Sequence, residues 1–113
     1  MHELWLCKSI LEILTQKALE KKCTRVKQIV LEIGQLAAID KAALIFSFNI
    51  ATEGTLAENA RLQIIDIPAE AFCESCQKTG PVQQYYDACQ SCGAHALNIT
   101  QGEELRVQSM VVE

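Results

Sequence analysis

The sequence predicts an α+β fold: two helices packed on one face of a three-stranded sheet, with an inserted zinc-ribbon-like domain. Three observations predict it. Apolar residues recur at helical spacing over residues 4–20, and they alternate at strand spacing over 25–33 and 61–67. Between 71 and 100 they give way to a polar stretch that holds four of the six cysteines.

Taken in order, Leu4, Cys7, Leu11, Leu14 and Ala18 are spaced by three and four, with Ile10 and Ile13 widening the stripe. That is an amphipathic helix with one buried face. In RVKQIVLEI, Val26, Gln28, Val30 and Glu32 alternate with Ile29, Leu31 and Ile33, the pattern of a half-buried strand that Gly34 closes. Asp40 is placed to cap a second, more apolar helix in DKAALIFSFNIATEG, and Gly54 is placed to end it. RLQIIDI at 61–67 reads as a second strand stopped by Pro68, and LRVQSMVV at 105–112 as a third. The expected core is Leu11, Leu14, Ile29, Leu31, Leu44 and Phe48. These elements form one domain from 1–70 and 101–113, and residues 71–100 form the insert.

Composition narrows the function. Half of the 113 residues are hydrophobic, enough for one real core. A net charge of −4 argues against a phosphate-binding surface, so no nucleic-acid partner is expected. The cations Lys17, Lys21, Lys22, Arg25 and Lys27 cluster at a helix end, where they suit its dipole as a solvated face. No apolar run reaches the roughly 18 residues of a membrane helix, and no basic region precedes an export signal. The expected location is therefore cytoplasmic, where thiols stay reduced, so the cysteines point to metal rather than disulfides.

CESC at 73–76 and CQSC at 89–92 are two C-x2-C pairs separated by twelve residues. Each pair lets one tight turn present two thiolates, and an intervening hairpin is expected to bring the pairs together. Cys73, Cys76, Cys89 and Cys92 would fill the tetrahedral sphere of Zn(II) and leave no open position, which makes the site structural. About thirty mostly polar residues cannot hold a fold by burial alone, so the metal supplies what the core lacks. Neither pair reads as a strand leading into a redox helix of the thioredoxin kind. His95 reads as a surface histidine, because four thiolates already complete the site.

The chain opens MHELWLC. The bulk of His2 should block removal of Met1, so the Met1 amine, the His2 backbone nitrogen and the His2 imidazole can close successive chelate rings on one ion. The Glu3 backbone nitrogen can supply a fourth donor. Nitrogen donors in a plane suit Ni(II) or Cu(II). The carboxylates of Glu3 and, as a further candidate, Asp40 could add oxygen ligands. Cys7 lies one turn after Glu3 but continues the apolar stripe, so it reads as a small core residue. Cys23 reads as structural or incidental.

In one order, MHEL, LEIGQL at 31–36, Asp40 with the FSF segment, the two C-x2-C pairs and the closing LRVQSMVVE resemble the HypA/HybF family. These are the nickel-insertion accessory proteins of [NiFe]-hydrogenase maturation. The resemblance runs over the whole chain. It implies a metallochaperone in which Met1, His2 and Glu3 receive transient Ni(II), while Cys73, Cys76, Cys89 and Cys92 hold structural Zn(II). It also implies work with a HypB-type GTPase, from which nickel passes to the hydrogenase large subunit, and in some members service to urease. Glu74, Ser75, Gln77, Gln90, Ser91 and Gly93 stand beside the pairs where some members carry histidines. That removes the basis for acidity sensing through the zinc module.

The expected function is thus nickel delivery without turnover. No Ser/His/Asp set, phosphate loop or paired catalytic carboxylates is present, so no enzyme is expected. The alternative is a zinc-ribbon adaptor that binds protein or nucleic acid and makes no use of His2. A closing strand that returns after an insert allows a homodimer by domain swapping.

Overall fold

The computed structural model describes residues 2–113, with side chains from Glu3 onward. The elements run α1 (His2–Glu20), β1 (Val26–Gly34), a 3-10 turn (Gln35–Ala37), α2 (Lys41–Ala51), β2 (Arg61–Ile67), β3 (Glu70–Cys73), β4 (Thr79–Pro81), β5 (Leu97–Gln101) and β6 (Leu105–Val112). They make two three-stranded sheets, ordered β2-β1-β6 and β4-β3-β5. Two helices and a sheet of the three predicted strands are therefore present, and the second sheet is made by the segment around the cysteines. The chain divides into two compact units, one of residues 1–31, 39–64 and 107–113, the other of 32–38 and 65–106.

The first unit is organised by its apolar side chains. On α1 the buried residues are Cys7, Ile10, Leu14 and Ala18, at intervals of three, four and four. The expected stripe was displaced: Leu11 is half-buried and Ile13 is 48% exposed, so Ile10 occupies the core position. The helix ends without glycine. Lys22 takes the left-handed conformation at φ 57, Cys23 N–H donates to the Ala18 carbonyl at 2.9 Å, and Lys22 N–H donates to Leu19 at 3.1 Å. This is a Schellman closure, which satisfies the carbonyls that the last turn leaves orphaned.

On α2, Asp40 is the N-cap as expected, its Oδ1 accepting from the Ala43 amide at 3.1 Å. The helix stops at Ala51, before Gly54; Thr52 caps it, its amide and hydroxyl both donating to the Phe48 carbonyl at 3.0 and 2.8 Å. Leu44, Ser47 and Phe48 form its buried face. From β1 come Val26, Ile29 and Leu31. Val26 belongs by alternation to the other face, yet it is buried where its amide meets the Leu56 carbonyl at 2.9 Å. β1 and β6 run antiparallel: Arg25 and Glu113 exchange backbone bonds of 3.3 and 2.9 Å.

The second unit has a much smaller apolar centre, Ala69, Ala71 and Val82, with Leu36, Leu97 and Ile99 packed against it. Backbone proximity does more of its work. Gly34 N–H donates to Glu104 and Leu36 N–H to Gly102, both at 2.7 Å. A Cβ on Gly34 would stand 2.1 Å from the Gly102 carbonyl group, so no side chain fits where these two backbones cross. The Gln35 side chain accepts from the Ala69 amide at 3.0 Å, and Arg106 is hydrogen-bonded to Glu32 across the strands.

Candidate metal centre

Each C-x2-C pair sits in the same kind of turn. Gln77 N–H donates to the Cys73 carbonyl at 2.7 Å, and Gly93 N–H donates to the Cys89 carbonyl at 2.8 Å. The first cysteine's own amide then donates onward, Cys73 to Lys78 at 2.9 Å and Cys89 to Ala94 at 2.8 Å. The residue after each second cysteine is left-handed, Gln77 at φ 60 and Gly93 at φ 78. Two copies of one turn thus point two sulfurs each at a common centre. Glycine announces the second turn in the sequence. Gln77 conceals the first.

The turns are carried differently from expectation. No hairpin lies between the pairs. Instead, β3 and β4 form a hairpin whose tip is the first pair, with Phe72 opposite Thr79. The second pair lies in the irregular stretch before β5, which returns along β3 with Cys73 opposite Leu97. In the loop between, the Asp87 carboxylate accepts from the amides of Gln83 and Gln84 at 2.8 and 3.2 Å. The Tyr85 hydroxyl donates to Glu103 at 2.7 Å, which raises its pKa.

The four sulfurs lie within 4.8 Å of one another. Cys73 and Cys92 are 3.7 Å apart, as are Cys76 and Cys89. These separations are far beyond a disulfide bond of about 2.05 Å. They match the edge of a sulfur tetrahedron around an ion at about 2.3 Å, roughly 3.8 Å, the Zn–S geometry. The four-cysteine cluster therefore fits a structural zinc site. Its thiols are also unequal. Backbone N–H groups of Cys92 and Ser91 pull Cys89 down to about 6. Loss of hydration, and then contact with Cys89, pushes Cys76 up to about 11. An ion bound there would hold all four sulfurs as thiolates.

The remaining candidates are not members of this four-cysteine group. Glu3 is half-buried in the first turn of α1, and Asp40 is engaged as the α2 cap. Met1 and the His2 side chain lie outside the described residues. Cys7 is fully buried, its thiol directed at the Leu44 carbonyl at 3.5 Å, and burial, then Glu3, pushes it up to about 11. It is the small core residue its place in the stripe predicts. Cys23 is half-buried and turned to the Lys21 carbonyl at 3.5 Å, and His95 is exposed. No helix is long and apolar enough to cross a membrane among the described residues.

An α+β domain with a separate four-thiol metal module is the class these features define. The family model described as "Hydrogenase/urease nickel incorporation, metallochaperone, hypA" matches residues 1–112. A hydrogenase maturation factor HypA of Legionella pneumophila is 62% identical over 113 residues, covering all of both chains. A HypA of Acidithiobacillus ferrooxidans is 45% identical, again end to end. The solution structure of the nickel metallochaperone HypA from Helicobacter pylori superposes with a TM-score of 0.73 at 26% identity, covering 97% of this chain and 96% of that one. A second HypA solution structure gives 0.76 at 27% identity, covering 100% and 97%. The chain belongs to the HypA family.

Proposed function

We propose that this chain receives Ni(II) at its N-terminus and delivers it for maturation of [NiFe]-hydrogenase. The supporting observation is the family match over residues 1–112, in a chain that begins Met-His-Glu. The proposed receiving set is Met1, His2 and Glu3, with Asp40 as a further oxygen donor. The four cysteines hold zinc for shape, in a module of residues 71–100 set into a domain of 1–70 and 101–113. The work involves a HypB-type GTPase and the hydrogenase large subunit, in the cytoplasm, without catalysis by this chain.

The chemistry of the terminus supplies the test. If the Met1 nitrogen is a donor, one residue placed before Met1 turns that amine into an amide and leaves His2 intact. Calorimetric nickel titration of the extended protein should show strongly weakened binding, restored on cleavage back to Met1. His2→Ala should likewise abolish tight nickel binding while zinc content and melting temperature stay nearly unchanged, since a terminal side chain contributes little packing. Equal nickel affinity in extended and cleaved protein would move the site elsewhere.

A further inference from the structure

The strand order leaves β6 at an edge, with β1 on one side and no strand on the other among the described residues. A groove of about 410 Å³ runs beside it, walled by Ile13, Leu14 and Lys17 of α1, by Lys21 in the turn after it, and by Val107–Met110 of β6. Lined by four strand residues in a row, it runs along β6, which is an edge strand of its sheet. Such edges are templates for another strand unless lysine, proline or a bulge blunts them. From Val107 to Val112 this edge has neither lysine nor proline, and Val111 is 51% exposed.

We infer that this edge is a docking surface for an extended acidic peptide, which adds as a fourth strand beside β6. Its backbone pairs with the β6 edge; on the side facing α1 its apolar side chains meet Ile13 and Met110, and carboxylates on that same side, nearer the end of α1, meet Lys17 and Lys21. The sign of the groove carries the choice of occupant. The chain as a whole is −4, yet the charged residues lining this groove are the two lysines. A second copy pairing through the same strand is disfavoured, because it sets its own Lys17 and Lys21 against the first pair. This reading is independent of the nickel proposal and uses none of its residues.

The probe is a fluorescein-labelled Glu/Val peptide, eight residues long to match β6, with Val, Val, Glu and Glu at its alternate, α1-facing positions and Thr between them. Anisotropy titration against the full zinc-loaded chain should give saturable binding that weakens with salt. A peptide with Lys in place of Glu should bind about tenfold more weakly, as should the Glu/Val peptide to the K17E/K21E variant. A central proline in the peptide should also cost most of the binding, because it removes a ladder hydrogen bond. K8E, on α1 outside the groove, should change little, and circular dichroism establishes that both variants fold. Equal binding of acidic and basic peptides, an unaffected K17E/K21E variant, or no binding up to about 1 mM overturns the inference. So does light scattering that shows a dimer which the peptide dissociates, because the groove then belongs to a second copy.

Discussion

The two compact units solve the same problem with different materials. The first buries Leu14, Val26, Ile29, Leu31, Leu44 and Phe48 almost completely. The second has Ala69, Ala71 and Val82 at its centre, side chains too small to bury much area. What it has instead is four sulfurs converging from two matched turns. A core holds its unit by area removed from water, and so it tolerates loss of one contact among many. A four-thiolate centre has no such reserve, since each cysteine is a quarter of the coordination sphere. The comparison teaches that 113 residues can form two compact units when one of them has, in place of a large core, four cysteines placed to fit an ion.

The largest effect should come from the ion. Cys73→Ser or Cys92→Ser should lower zinc from about one per chain to well below that and unfold residues 71–100. Apparent binding energies of structural zinc in small modules are about 10–16 kcal/mol, more than this unit's apolar contacts can replace. Hydrogen exchange should show protection lost in β3, β4 and β5 but kept in α1 and α2. A full zinc equivalent in both mutants would break the four-thiolate assignment.

The reverse experiment strikes the other unit. Phe48→Ala removes the largest fully buried side chain and should cost about 3–5 kcal/mol in denaturant unfolding. Zinc content should stay near one per chain. If zinc is lost together with the α1 and α2 amides, the units are one cooperative block and the contrast between them fails.

What the sequence made legible follows the same division. Period is a strong signal where apolar residues must face a core, so β2 at Arg61–Ile67 and β6 at Leu105–Val112 were readable to the residue. Within α1 the pattern was ambiguous, because Ile10, Leu11, Ile13 and Leu14 offer two overlapping stripes and only packing selects one. The cysteine quartet was readable because ligand spacing is a chemical constraint independent of fold. The strands that carry it were not. β4 has three residues and β3 four, too few for alternation to register. The first turn hides behind Gln77, a left-handed residue without the usual glycine. The end of α1 at Glu20 was legible from its stripe and its cations, but the end of α2 was misplaced, since the helix stops at Ala51, three residues before the Gly54 that marks it.

A third test concerns the buried thiol of the first unit. Cys7 is held at about 11 in the fold, against about 9 when free. The folded chain therefore keeps its proton over a range where the unfolded chain has lost it. The sign follows: its contribution is fully present below pH 9 and is lost as pH rises through 11, at most about 2–3 kcal/mol. Chemical denaturation of wild type and Cys7→Ala across that range isolates the term. The wild type should lose stability more steeply, and parallel curves would mean the thiol ionises in place.

The smallest effect separates two uses of one side chain. Asp40 is the N-cap of α2, with Oδ1 on the Ala43 amide, and it is also the proposal's outlying nickel donor. Asp40→Ala should cost about 1 kcal/mol, the usual value of a lost cap. Asp40→Asn keeps a cap oxygen at the same place and removes only the charge, so stability should stay within about 0.5 kcal/mol of wild type. As the proposed further oxygen donor, Asp40 gives the ion its charge, so nickel affinity in Asp40→Asn should weaken modestly. Normal stability with weakened nickel binding would assign the second carboxylate oxygen to the ion. In that case the start of α2 would join Met1, His2 and Glu3 in the receiving site, and the first unit would be more than an apolar scaffold.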